Sequence, residues 1–294
     1  MPTFTCNICG ASNPAVTKPL TREEASCSSC GSNVRTRGLL QALSLALFGT
    51  NLALPDFPRV KSLRGLGTSD DNDYAIRLAE KLDYRNTYLD REPRFNIADP
   101  PESEFGAYDF ITSSEVFEHV PPPAEAAFRN VWKLLKPTGV LVFTAPYSIE
   151  AATVEHYPEL YRFGFVELDG KTVLVNRTRS GEVQVFENPV FHHAGAGRAL
   201  EAREFNEAGL KAMLGEAGFA EIRVHAEDYA PFGIVRAEAW SLPITARKGA
   251  FAMNLDAARD VVEEWSALKL KFNAEMRRLD RALWFRIGRR LGLL

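Results

Sequence analysis

Cysteine, methionine and histidine are all scarce in this chain of 294 residues, at four, four and five. The four cysteines fall within the first thirty residues, so no disulfide can tie the rest of the chain. Its fold has to be held by an apolar core. Long apolar runs are missing as well: the longest predominantly apolar stretch, Leu39 to Phe48, is too short for the roughly 20 residues of a membrane-spanning helix and reads as a buried helix. No secretion signal, internal repeat or low-complexity tract is apparent, and a soluble, cytoplasmic protein is expected. Neither sign of charge dominates, with 35 Lys and Arg against 38 Asp and Glu. The net charge of -3 gives no whole-chain attraction for nucleic acid. What is present is 46% hydrophobic content, over a length that can bury one large α/β core and a small satellite.

The cysteines form two CxxC knuckles, Cys6 with Cys9 and Cys27 with Cys30, each followed by a glycine, Gly10 and Gly31. Two such knuckles about 15–20 residues apart suit four thiolates around one tetrahedral zinc, as in a zinc ribbon. Disulfides are the alternative, disfavoured in a reducing compartment. Four protein ligands leave no position for water or substrate, so such a metal is structural. Arg35 and Arg37 follow the second knuckle and read either as phosphate contacts or as an ordinary solvated surface.

The most informative stretch runs from Tyr108 to Tyr147. Tyr108–Thr112 and Val140–Thr144 are short apolar runs of the type found in buried parallel strands. Between them Ala127, Phe128, Val131, Leu134 and Leu135 recur at helical spacing, with the prolines 121–123 blocking an earlier start. Strand, helix and strand make one βαβ unit, and its ligand is expected beyond the carboxyl ends of the strands. The loop there reads Ser114, Glu115, Val116, Phe117, Glu118, His119, Val120. This loop, with LLKPTGVLVFTAPY downstream, resembles the central stretch of class I S-adenosylmethionine (SAM) dependent methyltransferases of the type 11/12 kind. The resemblance covers about residues 59 to 248. It implies a Rossmann-like, mostly parallel sheet with helices on both faces. To this core are added the ribbon (residues 1–37), a β insertion (151–204) within a methyltransferase domain of residues 38–250, and a C-terminal helix (251–294).

The resemblance also implies site residues. Arg59–Leu63 is expected as the first strand, with Gly65 and Gly67 in a glycine-rich turn that lets the backbone approach the cofactor. The family's acid two positions before the first glycine is replaced here by Leu63. Tyr84–Leu89 is expected as the second strand, ending in Asp90, which would take the ribose hydroxyls. Asp99 corresponds to the acid that holds the adenine amino group, and Ser114 and Glu115 to residues bordering the cofactor. For the rest of these positions the residue-level alternatives are a plain turn and ordinary loop acids.

Between Ala151 and Glu204 three strands are expected, at Phe165–Leu168, Thr172–Asn176 and Val183–Phe186, separated by Asp169-Gly170 and Ser180-Gly181 turns. This insertion would stand over the mouth of the site, where relatives build substrate recognition. It carries His192 and His193, which with His119 are the candidate bases for a hydroxyl acceptor; polar loop residues are the alternative. A helix from Phe205 to Ala217 and strands at Ile222–His225 and Leu242–Ala246 would complete the core. In the tail, Leu268, Phe272, Met276, Leu279, Leu283, Ile287 and Leu291 form one apolar stripe. Residues 266–294 carry eight Lys or Arg against Glu275 and Asp280, so the tail is +6 and the remainder -9. Such a basic amphipathic helix suits a partner helix, its own domain, or an anionic membrane with Trp284 and Phe285 at the interface.

Together these readings predict a SAM-dependent methyltransferase with SAM and a structural Zn2+. The expected reaction is O-methylation of a small molecule or a sugar or glycan. An RNA methyltransferase using the ribbon, or a degenerate fold acting as a binding module, are the alternatives. The acidic core speaks against nucleic acid.

Overall fold

The computed structural model describes residues 3–194, 197–251, 254–281 and 288–292. A short hairpin, β1 (Thr3–Thr5) and β2 (Ser12–Pro14), opens the chain. It leads to α1 (Val34–Phe48), whose start is fixed by Asn33: its side chain accepts the Thr36 amide while Thr36 returns a contact to the Asn33 backbone. The helix ends on Gly49 in the left-handed region. It begins at Val34, ahead of the apolar stretch Leu39 to Phe48 in which a buried helix is expected, and is buried on nearly every side. Ribbon and core therefore meet within one element. Phe4, Cys6, Ile8 and Cys27 share a single apolar cluster with Leu39 and Leu43 of α1 and with Val60, Tyr84 and Phe110 of the central sheet.

That sheet is built from β3 (Val60–Thr68), β4 (Leu82–Thr87), β5 (Tyr108–Ser114) and β6 (Leu135–Thr144), all mutually parallel. Helix α2 (Asn72–Lys81) connects β3 to β4 and α3 (Ala124–Leu134) connects β5 to β6. The residues expected to face the core on α3, namely Ala127, Phe128, Val131 and Leu134, are fully buried. Past the insertion, β14 (Arg203–Asn206) leads into α4 (Glu207–Ala217), capped by Asn206 accepting the Gly209 amide at 2.9 Å. Then come β15 (Glu221–Val224) and β16 (Ile244–Arg247). The strand order is β15-β16-β6-β5-β3-β4, with β16 antiparallel to both neighbours. The predicted mixed α/β class with a mostly parallel sheet is what the chain adopts.

The insertion is more elaborate than three strands. β7 (Tyr147–Ser148) and β8 (Val154–Glu155) flank β14 (Arg203–Asn206). β9 (Arg162–Leu168), β10 (Lys171–Arg177) and β11 (Val183–Phe186) form the expected antiparallel sheet. The turn joining β9 and β10 puts Asp169 and Gly170 both at positive φ, as a two-residue hairpin turn requires. β12 (Phe191–Ala194) and β13 (Gly197–Leu200) make a further hairpin.

Helix α5 (Leu255–Arg281) closes the described chain apart from residues 288–292. Its first turns are tied to β3: Ser62 donates through both its amide and its hydroxyl to Asp260, at 3.1 and 2.5 Å. Beyond that point Trp265, Leu268 and Phe272 are exposed. Trp284 and Phe285, expected at an interface, lie outside the described residues. Among the described residues no helix is long and apolar enough to cross a membrane.

Candidate functional site

The carboxyl ends of β3, β4 and β5 open into a cleft of about 900 Å³. It is the position at which open α/β sheets bind ligands. Its walls include Ser69, Asp70, Asp90, Ser114, Glu115, Glu118, His119 and His192. Asp90, Ser114 and Glu115 thus sit together where the sequence puts them, and two of the three candidate histidines join them.

Gly65 and Gly67 do not form a turn. Both lie inside β3, paired with Tyr84 and Asn86 of β4. Their role is steric: a Cβ on Gly65 would meet the Phe110 ring at 2.1 Å and one on Gly67 the Tyr84 hydroxyl at 1.9 Å. The strand leaves the sheet only at Ser69, a non-glycine residue with φ +58. The next residue, Asp70, is held by Asn86, which accepts the Asp70 amide at 3.0 Å and donates to its carbonyl at 2.8 Å. The Asp70 side chain is buried and accepts from Tyr84 and Thr112. Burial pushes its carboxyl above the usual range, against the pull of those two hydroxyls. Asp71 caps α2 by accepting the Asp73 amide at 3.0 Å.

Asp99 stands apart from these residues. It is exposed and lines neither the cleft nor the small apolar pocket beside it, because the chain from Asn96 turns outward, with the Asp99 amide bonded to the Asn96 carbonyl at 3.1 Å. That neighbouring pocket, about 80 Å³, is lined by Thr68, Leu89, Asn96, Ile97, Val116 and Val120, and touches the cleft at Ser69 and His119. Leu63 is an apolar core residue. Asp109, at the opposite end of β5, accepts from Lys136 and the Arg64 amide at 2.6 and 2.9 Å and is structural.

Two cleft residues come from the ribbon side and were not legible as such in the sequence. Arg22 donates twice to Glu115, at 3.0 and 2.8 Å, and Arg35 reaches Ser114 while pairing with Glu23. Burial alone would raise the Glu115 carboxyl. The charge and hydrogen bonds of Arg22, with Arg35 beyond, overcome this and hold it below its ordinary value. Arg37 is not a surface residue. It is fully buried, donating to the carbonyls of Ser32 and Gly233 and to the Ser26 hydroxyl at 2.7, 3.0 and 2.7 Å, and so stitches ribbon to core.

The four cysteines are free thiols that converge. The Cys6–Cys30 and Cys9–Cys27 sulfur separations are both 3.7 Å. Sulfurs about 2.3 Å from a tetrahedral ion stand ~3.8 Å apart, so the set fits a closed thiolate site.

The loop from Phe117 to Val120 is fixed by the end of the insertion. Arg203 is fully buried and donates to the carbonyls of Phe117 and Val120 at 2.9 and 2.6 Å and to Glu155 at 2.6 Å. The Ala202 amide donates to the Glu118 carbonyl at 2.8 Å, and His119 Nδ1 lies 2.8 Å from the Leu200 carbonyl. Since a carbonyl only accepts, Nδ1 carries the proton and Nε2 is the free lone pair of His119. Burial holds this imidazole below its ordinary pKa, in its neutral form. His192 is brought over the loop by β12 and is backed by Glu201, which also meets His156 at 3.3 Å. His193 pairs with Arg198 in the β12–β13 hairpin, and its side chain lies outside the described residues. Glu118 is completely buried, and burial with the nearby charge of Glu115 pushes its carboxyl well above the usual range.

Residues 55–141, from just before β3 into β6, match the family described as a methyltransferase domain. No curated protein matches the chain. Solved structures similar to it include a SAM-dependent methyltransferase from Clostridium acetobutylicum, 14% identical, over 64% of this chain and 84% of that one with a TM-score of 0.37. Another is the CcbJ methyltransferase from Streptomyces caelestis, 16% identical, over 79% and 99% with a TM-score of 0.40. A third is the sugar N-methyltransferase KedS8 from a Streptoalloteichus species, 13% identical, over 65% and 83% with a TM-score of 0.37. That match, from just before β3 into β6, makes this part of the chain similar to a methyltransferase domain.

Proposed function

We propose that the protein transfers a methyl group from SAM to a hydroxyl of a small molecule or sugar, with a structural zinc on Cys6, Cys9, Cys27 and Cys30. The observation that carries this reading is the cleft at the carboxyl ends of β3, β4 and β5, within and beside the matched methyltransferase domain. Ser69 to Asp71 and the start of α2 would face the methionine end of the cofactor, as helix amino termini favour carboxylates. Asp90 would take the ribose hydroxyls. The apolar pocket of Leu89, Ile97 and Val116 suits the flat base, and Ser114 and Glu115 stand between these groups.

SAM supplies an electrophilic sulfonium methyl. The chain's contribution is then to hold an acceptor in line with it, which is worth about 7–11 kcal/mol when geometry is well defined. The acceptor end of the cleft is walled by Glu118, His119 and His192 and is polar, which supports a hydroxyl-bearing acceptor over an apolar one. Of the cleft's three arginines, Arg22 is engaged by Glu115, Arg35 by Glu23, and Arg91 lies over the Tyr88 ring at 3.9 Å, which supports a small acceptor over a phosphate backbone.

Titration calorimetry of the zinc-loaded protein with SAM and with S-adenosylhomocysteine tests the reading. Both should bind at one site per chain, and Asp90→Ala should weaken binding at least tenfold. A folded, zinc-loaded sample that binds neither would refute it.

A further inference from the structure

One buried carboxyl in the cleft accepts no hydrogen bond from the described residues. Glu118 is 0% exposed, and among the described residues neither of its carboxylate oxygens has a hydrogen-bond partner. A carboxylate taken out of water without compensation is costly, and buried side-chain acceptors are normally satisfied. What faces Glu118 is not a donor set but two imidazoles. One oxygen of Glu118 and one ring nitrogen each of His119 and His192 lie within 4.8 Å of one another, and Glu118 Oε1 is 3.5 Å from His119 Nε2. Donors about 2.0–2.2 Å from a shared ion stand roughly 3–3.5 Å apart at octahedral or tetrahedral angles, so small side-chain movements close the set.

We propose that Glu118, His119 and His192 bind a divalent first-row transition cation at the acceptor end of the cleft. The inference deepens the methyltransferase reading and rests on it for the meaning of the cleft, though the site itself is defined by these three side chains. The histidines are presented as ligands are. His119 gives its Nδ1 proton to the Leu200 carbonyl and so turns the Nε2 lone pair toward Glu118. His192 is backed by the Glu201 carboxylate, the outer partner that fixes ring orientation at metal-bound histidines. Glu115 is close in sequence but spends both oxygens on Arg22, which leaves it outside the set.

Two imidazoles and one carboxylate favour Mn2+, Fe2+, Co2+ or Zn2+ over Mg2+ or Ca2+, which prefer oxygen alone. Three protein ligands leave coordination positions open, unlike the closed four-cysteine site. All three residues line the cleft shared with Ser69, Asp90 and Ser114. The open positions therefore face the space where the acceptor would lie, and the ligand class they take is an oxygen donor such as a hydroxyl. On this inference the two histidines are ligands and neither is a free general base.

The test uses the full chain with zinc already on its cysteines. Mn2+ is titrated in and followed by the loss of the electron paramagnetic resonance signal of the free ion, and total zinc per chain is measured after exposure to excess Zn2+. The expected result is one Mn2+ per chain, or one zinc beyond that on the cysteines, with affinity lowered at least tenfold by His192→Ala and by Glu118→Gln. Asp99→Asn, on an exposed residue outside the cleft, should bind as the unaltered protein does. His192 is half-buried on a hairpin, so its alanine variant tests the site even if the Glu118 variant misfolds. Absence of both Mn2+ binding and extra zinc in the unaltered chain would overturn the inference, as would unchanged affinity in folded His192→Ala. Loss of SAM binding with Mn2+ binding intact would instead overturn the methyltransferase reading and leave the cation site standing.

Discussion

Arg22 and Glu115 are 93 positions apart in sequence and meet through two hydrogen bonds at the cleft wall, with side chains 20% and 23% exposed. Hydrogen bonds between charged partners, partly shielded from water, are worth about 1.5–3 kcal/mol. Arg22→Ala should lower unfolding free energy by that order, and combining it with Glu115→Gln should cost less than the two single changes summed, as measured by denaturant titration in a double-mutant cycle. His225 offers a second residue-scale test. Its side chain is buried against Thr245, 3.0 Å from the hydroxyl, and burial lowers its pKa to about 4. The unfolded chain, with an ordinary histidine near 6.5, then binds more protons between these values, so this group's contribution is full above pH 6.5 and falls as pH drops toward 4. The loss approaches roughly 3 kcal/mol at the acid end. His225→Asn should show a shallower decline over pH 7 to 4 than the unaltered chain in equilibrium unfolding.

Among the elements, the insertion departs most from a plain α/β sheet, and one side chain fastens it. Arg203 on β14 is fully buried and satisfies two carbonyls of the Phe117–Val120 loop along with Glu155. Replacing it leaves those acceptors and a partly buried carboxylate unpaired, at a cost of about 3–5 kcal/mol. Arg203→Ala should therefore lower stability by that amount and loosen β12 relative to the loop, seen as faster amide exchange at His119 and Ala202. The element pattern of the insertion was legible: alternating strands with Asp-Gly and Ser-Gly turns appear where periodicity and turn chemistry place them. That its exit strand would clamp the loop after β5 was not, because a buried arginine is indistinguishable in sequence from a surface one. Helix α5 shows the converse. Its stripe was evident, yet the contact that anchors it, Ser62 to Asp260, is polar and joins residues nearly 200 positions apart.

For the whole molecule, ribbon and core are one body. Phe4, Cys6, Ile8 and Cys27 pack with α1 and the sheet, while Arg22 and Arg35 reach into the cleft. If the four cysteines hold the proposed zinc, removing it with a strong chelator should therefore lower the thermal midpoint of the entire chain and weaken the proposed SAM binding together. An unchanged midpoint after confirmed zinc loss would show that the thiolate site does not hold this body. The sequence by itself determined the class of fold, the two knuckles, the βαβ unit and the loop at its mouth, since each depends on local periodicity, turn chemistry or short spacing. The resemblance it carries implied that Asp90, Ser114 and Glu115 border one site, and all three line one cleft at the strand ends of the parallel sheet. Only the tertiary structure decided that Gly65 and Gly67 make room for Phe110 and Tyr84 inside a strand, that Asp99 faces outward, and that Arg22 seals Glu115. It alone brought His192 to Glu118 and His119. These are consequences of packing between segments far apart in the chain, where burial and the pairing of polar groups choose partners that no local pattern encodes.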